Sequence, residues 1–104
     1  MKSLSHEQRS AIQNKITQQL QGYEISLGEA VKIIRTEIYG FTQIEFAQLC
    51  RISDKTVRDI ENGRTDPRLS IIERMLNMGG LGLVAAPKIN YVRSANPLEN
   101  TNNE

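Results

Sequence analysis

The chain has 104 residues, a length that suits one small domain with a single apolar core. Its 13 lysines and arginines and 12 aspartates and glutamates give a formal net charge of +1, which neither favours nor excludes a nucleic-acid partner. With one cysteine, Cys50, and one histidine, His6, an internal disulfide is excluded and no metal site is expected. No apolar run approaches the ~20 residues that cross a bilayer, and no signal peptide is recognised, so we expect a cytoplasmic protein without a cofactor.

The N-terminal part of the chain predicts an amphipathic helix. Ser5 and Gln8 can form a capping pair at its start, and Gly22 is expected to end it. Apolar side chains recur every fourth residue between them, at Ile12, Ile16 and Leu20.

A second helix is predicted from a capping box, Ser26 with Glu29, to a left-handed stop at Gly40. Its apolar face consists of Leu27, Ala30, Val31, Ile34 and Ile38. This helix would open the core domain.

Two short helices separated by a tight turn are predicted next. Thr42 and Glu45 form a third capping box, and Ser53 can cap a helix that runs to about Asn62, before Gly63. The buried residues of the pair are expected to be Phe46, Ala47 and Cys50 in the first helix and Val57 and Ile60 in the second.

The last helix is predicted to begin with Asp66 as its cap and Pro67 as its first residue, and to end at Gly79 and Gly80. Its buried residues would be Leu69, Ile72, Met75 and Leu76.

Short strands are predicted beyond this helix. Their apolar residues are Leu81, Leu83, Val84, Ile89, Tyr91 and Val92. One such strand needs a partner, either in this chain or in a second copy. From Ser94 onward the chain has little to bury and is expected to be mobile.

The two short helices form a unit that can place one helix across a DNA backbone and the other in the major groove. Their close approach requires a small side chain where they cross, and Ala47 provides it, opposite Val57 and Ile60. The side chains left outside on the second helix can reach base edges or phosphates, and these are Asp54, Lys55, Thr56, Arg58 and Asp59.

Two stretches of this region carry a family resemblance: the run Phe41-Thr42-Gln43-Ile44-Glu45-Phe46-Ala47-Gln48, then Ser53 and the run Val57-Arg58-Asp59-Ile60-Glu61-Asn62-Gly63-Arg64. They resemble the xenobiotic-response-element (Cro/phage-repressor-like) helix-turn-helix family. The Thr-Gln opening, the alanine and the Glu-Asn-Gly run occur in the family's order and spacing. The resemblance covers about Leu27 to Leu83, over half of the chain.

The resemblance implies roles for individual residues. Gln43, next to Thr42 at the start of the first motif helix, would bond a phosphate through its side chain and neighbouring N–H groups. Ser53 would begin the second helix. The recognition positions would be Asp54, Lys55, Thr56 and Asp59. Asn62 and Arg64 match family positions that hold the flanking DNA backbone. Arg68 resembles an arginine that can approach the minor groove. Lys55 or Arg58 could pair with guanine, and Asp54 could accept from cytosine N4.

The sequence therefore predicts an all-α fold, a compact bundle of about four to five helices containing a helix-turn-helix, with an extra N-terminal helix and a short C-terminal strand. The expected boundaries are 1–24 for the N-terminal helix, 25–78 for the DNA-binding domain, 79–93 for the strand segment and 94–104 for the tail.

Two features depart from the family pattern. Arg51 stands where the family usually has glycine in the turn, so an arginine would adopt a left-handed conformation at a cost of roughly 1 kcal/mol. Asp54 and Asp59 put negative charge on a helix that approaches phosphates, which weakens binding by a monomer and favours dimers.

These observations predict a non-enzymatic, dimeric repressor that binds a palindromic operator in double-stranded DNA. The Gly-rich stop followed by Leu81-Gly82-Leu83-Val84 resembles a subset of the family, the antitoxins paired with serine/threonine-kinase-like toxins, which implies a toxin partner. The alternative is a protein-interaction module whose helix-turn-helix is secondary to partner binding. No paired carboxylates and no Ser/His or Cys/His set suggest an enzyme.

Overall fold

The computed structural model describes residues 3–88, and within them all regular structure is helical. The helices are α1 (His6–Gln21), α2 (Leu27–Ile33), α3 (Gln43–Cys50), α4 (Asp54–Glu61) and α5 (Leu69–Met78), with a π-helical turn (Ile34–Tyr39) continuing α2. The helical bundle predicted from the sequence is thus confirmed.

Side-chain caps set the starts of the first four helices. Ser5, Ser26 and Thr42 each accept a hydrogen bond from the backbone N–H three residues later, and the residue at that position bonds back to the cap. The three predicted capping boxes are therefore all present. Ser53 caps α4 through the N–H of Thr56, as expected.

The predicted single helix from Ser26 to Gly40 is wrong in its second half, which widens into the π-helical turn. The Arg35 carbonyl accepts from the N–H of Gly40 and from that of Phe41 at 3.1 Å, so the chain fits an extra residue into the turn before α3. The Thr36 hydroxyl donates to the Lys32 carbonyl, one turn earlier, at 2.9 Å. Gly40 ends the turn in the left-handed conformation with φ 67°, as predicted.

The core lies between α2, the π-helical turn and helices α3 to α5, with Ile16 of α1 packed against it. The buried apolar side chains are Ile16, Ala30, Val31, Ile34, Ile38, Phe46, Ala47, Cys50, Val57, Ile60, Ile72, Met75 and Leu76. Most of the expected inward-facing residues are in this set. Leu27 is an exception at 39% exposure, because it is the first residue of its helix.

The predicted start of α5 is also wrong. The helix begins two residues later than expected, with Arg68 rather than Asp66 at the cap position and no side-chain cap bond. The Arg68 carbonyl accepts from the N–H groups of Ile71 and Ile72 at 3.0 and 3.1 Å, so packing of Ile72 against the core outweighs the local Asp-Pro signal. Leu69, expected to be buried, is 74% exposed at the free end of the helix.

The segment after α5 has no regular structure between Leu81 and Lys88, the last described residue. Leu81 and Leu83 are partly buried against the core, whereas Val84 is 86% exposed. The predicted strand forms no ladder within residues 3–88, and its second part, Ile89 to Val92, lies outside the described residues together with the predicted tail. None of the helices between residues 3 and 88 is long and apolar enough to span a membrane.

Helix α1 is attached to the end of α5 as well as to the core. The Gln13 side-chain amide donates to the Gly79 carbonyl at 2.8 Å, and the Tyr39 hydroxyl donates to the neighbouring Met78 carbonyl at 2.8 Å. These bonds satisfy carbonyls that a helix leaves unpaired at its C-terminus.

Gly28 allows α2 to pass directly over the end of α4. A Cβ atom at this position would lie 2.1 Å from the Ile60 carbonyl oxygen, which is a backbone atom and cannot rotate away. We therefore expect Gly28→Ala to lower the free energy of unfolding by about 3 kcal/mol, the upper range for overpacking, as measured by urea denaturation. Gly82→Ala, where a Cβ meets nothing within 4 Å, is the matched control. Equal stability of the two variants would contradict the close approach.

Candidate nucleic-acid interface

Helices α3 and α4 are joined by a turn whose geometry depends on Arg51. This residue has φ 62° and ψ 44°, the left-handed conformation predicted for it. Its N–H donates to the Gln48 carbonyl at 3.3 Å, and the Ile52 N–H donates to the Ala47 carbonyl at 3.0 Å, so the turn closes the end of α3. Ala47 itself is 3% exposed, which agrees with its expected place at the helix crossing.

A buried ion pair holds the start and the end of this unit together. The Arg35 guanidinium donates from Nε to Glu61 Oε2 at 2.7 Å and from Nη2 to Glu61 Oε1 at 3.0 Å. Its Nη1 donates to the Phe41 carbonyl at 2.9 Å. Because the Glu61 side chain is only 2% exposed and the pair is bidentate, both charges are compensated inside the protein.

Gln43 is attached to the same ion pair. Its Nε2 donates to Glu61 Oε1 at 3.0 Å, and the residue is partly buried at the start of α3. A glutamine amide has two N–H donors, so this bond leaves one donor and the amide oxygen for a further partner. The predicted phosphate ligand is thus held in place by the core of the motif.

The outer side of α4 carries two exposed ion pairs. Lys55 Nζ lies 2.7 Å from Asp59 Oδ2, and Arg58 Nη1 lies 2.7 Å from Asp54 Oδ2. The pKa of Asp59 is lowered, chiefly by its hydrogen bond from Lys55, and the pKa of Asp54 is lowered, chiefly by its hydrogen bond from Arg58. Both carboxylates are therefore charged at neutral pH, and each cation predicted to meet DNA has an acidic partner on its own helix.

The other predicted site residues are arranged around this surface. Thr42 and Ser53 cap α3 and α4, and the Ser53 hydroxyl also shares a hydrogen bond with Thr56 Oγ1 at 2.8 Å. Three predicted site residues beyond the end of α4 are all exposed: Asn62, Arg64 and Arg68. The N–H of Arg64 donates to the Asp59 carbonyl at 2.8 Å, which brings this arginine back towards α4.

Cys50 is fully buried, as expected for a small apolar residue. Burial raises the pKa of its thiol to about 11, although the nearby Arg74 charge acts in the opposite direction, so the thiol is neutral at physiological pH. Arg74 donates to the Cys50 carbonyl at 3.0 Å and so caps the end of α3. Within residues 3–88, no three His, Cys, Asp or Glu side chains are grouped so that they could hold a metal ion.

A comparison with protein families agrees with this geometry. Residues 31–84, just over half of the chain, match the model of the helix-turn-helix family of Cro and phage-repressor type. The chain belongs to this family. The match spans the π-helical turn, the two motif helices and α5, and it supports a DNA-binding transcription regulator. No curated protein and no solved structure matches the chain.

Arg35 and Glu61 were not predicted as a pair, although the helix-turn-helix depends on them. Each occupies a helical position that would otherwise be apolar: Arg35 follows Val31 by four residues, and Glu61 follows Val57 by four. Such a pair is indicated when the buried faces of two neighbouring helices carry one basic and one acidic residue.

Breaking the buried pair should destabilise the helix-turn-helix strongly. We expect Glu61→Gln to lower the free energy of unfolding by about 3–5 kcal/mol, because Arg35 would remain buried without an opposite charge. Glu37→Gln removes the same charge from an exposed residue and should leave stability within about 0.5 kcal/mol of the parent. Urea denaturation of both variants measures this. A loss below 1 kcal/mol for Glu61→Gln would mean that the pair is not a structural requirement.

The left-handed turn generates a separate prediction. Arg51→Gly should raise the free energy of unfolding by up to about 1 kcal/mol, because glycine adopts this conformation without a Cβ clash. Arg51→Ala removes the same side chain but keeps the Cβ, and it should give no gain. If thermal denaturation showed the same gain for both, removal of the arginine charge and not relief of backbone strain would be responsible.

Proposed function

We propose that this protein is a sequence-specific transcriptional repressor that binds double-stranded DNA as a dimer on a palindromic operator. The observation that carries the proposal is the outer face of α4, where Lys55 and Arg58 are exposed while Val57 and Ile60 hold the helix against the core. A short helix presented in this way fits the width of the major groove.

The start of α3 supports a contact with the DNA backbone. Gln43 keeps one N–H donor after bonding Glu61, and the first N–H groups of the helix lie beside it. A phosphate at this end would accept from both and would be favoured by the helix dipole. Such a contact is independent of sequence and would fix the position of α4 in the groove.

The balanced charge of α4 supports a dimer. Because Asp54 and Asp59 neutralise the two cations of the helix, a single copy gains little from the phosphates. Two copies on one face of the duplex, with half-sites about 34 Å apart, would double the number of specific contacts.

The segment after α5 supports the narrower proposal that the protein is the autoregulating antitoxin of a toxin–antitoxin module. Leu81 and Leu83 turn towards the core and Val84 turns away, the alternation of a strand that lacks its neighbour. Pairing of this segment with its copy would join the dimer, and the toxin would be the second partner.

A second candidate is a protein-interaction module in which DNA binding is secondary. It is favoured by an apolar groove where the segment after α5 faces the end of α1, and the lining residues include Leu20, Tyr23, Ile25, Leu83 and Val84. Tyr23 and Val84 are 60% and 86% exposed, so the groove presents apolar surface for a protein partner.

Selection of the full chain on randomised duplexes tests the repressor, and two variants test the division of roles. The selected duplexes should contain two inverted half-sites. Lys55→Ala should relax base preference by about 1–3 kcal/mol if Lys55 contacts a base, whereas Gln43→Ala should weaken binding to all duplexes alike.

Glu37→Gln serves as the control, because Glu37 is an exposed residue of the π-helical turn and belongs to neither α3 nor α4. Failure to select any duplex at low salt would contradict the repressor and favour the interaction module. Equal losses from Lys55→Ala and Gln43→Ala on every duplex would refute the division into base and phosphate contacts.

A further inference from the structure

Lys55 and Asp59 lie at the centre of the outer face of α4. With a rotation of about 100° per residue, the buried residues Val57, Ile60 and Glu61 define one side of the helix. Lys55 and Asp59 then lie within about 30° of the opposite direction, whereas Asp54 and Arg58 lie on the flank. Of the four charged side chains, that of Lys55 is the most exposed at 76%, and that of Asp59, 23% exposed, lies beside it one turn later.

This pair presents hydrogen-bond donors and acceptors side by side. The Lys55 side chain is 76% exposed and has three N–H donors, of which one is used in the 2.7 Å bond to Asp59. The Asp59 carboxylate keeps its remaining lone pairs, and its lowered pKa keeps it charged and unable to donate. The Lys55–Asp59 pair therefore offers two N–H donors next to an acceptor, and the bond between the two side chains stays intact.

We propose that the Lys55–Asp59 ion pair acts as one unit that reads a G·C base pair in the major groove. Lys55 donates to guanine O6 and N7, and Asp59 accepts from the N4 amino group of cytosine. This inference rests on the proposed DNA-binding function and names the base pair that this part of the operator contains.

The order of groups on the base-pair edges explains the choice. Across the major groove, a G·C pair shows two adjacent acceptors followed by a donor, which matches the two donors and the acceptor of the ion pair. An A·T pair places its donor between two acceptors and ends in a methyl group. There the Asp59 carboxylate would face either the thymine oxygen or the methyl group, and its charge would lose water without gaining a partner.

Neutrality of the pair adds to its selectivity. A lone lysine on the outer face would attract phosphates on any duplex, whereas Lys55 bound to Asp59 carries little net charge towards them. Specific binding then depends on base contacts more than on counterion release.

The test compares the base preferences of the full chain with those of Asp59→Asn by selection on randomised duplexes. The parent should require G·C at one symmetric position of each half-site, with roughly 5- to 150-fold discrimination against other pairs. Asp59→Asn should lose that preference and accept adenine there, because asparagine bonds adenine N6 and N7. Glu37→Gln, with the same change of charge on the π-helical turn, should keep the parental preference.

A modified base tests the lysine contact directly. Substituting 7-deazaguanine at the selected position removes the N7 acceptor and should weaken binding of the parent roughly 5-fold or more, as the loss of one arm of a bidentate contact. Lys55→Met, which keeps the apolar stem, should be insensitive to the same substitution.

The outcomes separate the inference from the function on which it rests. Failure of the parent to select any duplex overturns the repressor itself. A selected operator whose G·C preference survives Asp59→Asn, or disappears instead in Asp54→Asn, overturns the reading by Lys55 and Asp59 and leaves the repressor standing. The base modification and Lys55→Met are also combined. If their losses of affinity add, Lys55 does not contact guanine N7, and the proposed reading of the G·C pair is overturned.

Discussion

The buried bond between Arg35 and Glu61 is the interaction on which the architecture of the motif depends. Arg35 belongs to the π-helical turn and Glu61 is the last residue of α4, and the same guanidinium also binds the Phe41 carbonyl just before α3. Three parts of the chain therefore meet at one charged group. A buried charge tolerates almost no displacement from its partner, so this contact fixes the relative position of the helices more sharply than apolar packing alone.

The exposed ion pairs of α4 have the same chemistry but a different effect. Water and salt weaken them, so they add little to the stability of the fold. Their importance lies in what the helix presents to a duplex, since each cation is accompanied by an anion one turn away. A buried ion pair thus fixes the relative position of helices, whereas an exposed one determines the charges that a helix presents to a partner.

Local signals in the sequence predicted most of the helix boundaries. The capping boxes at Ser5, Ser26 and Thr42 depend on neighbouring residues only, and the structure confirms them. The left-handed conformation of Arg51 was expected from the family resemblance, and it is also confirmed. The Asp66-Pro67 signal failed because packing of α5 against the core decided the start of that helix. The approach at Gly28 and the pairing of Arg35 with Glu61 join segments far apart in the chain, so helical spacing can place these residues on buried faces but cannot identify their partners. The predicted DNA contacts remain proposals, because they involve a second molecule, the duplex.

The bond from Gln13 to the Gly79 carbonyl joins the two regions that flank the helix-turn-helix. Helix α1 holds the end of α5 through this bond. The N-terminal helix therefore helps to set the direction in which the chain continues at Leu81. The two regions that flank the helix-turn-helix are therefore mechanically coupled through one main-chain carbonyl.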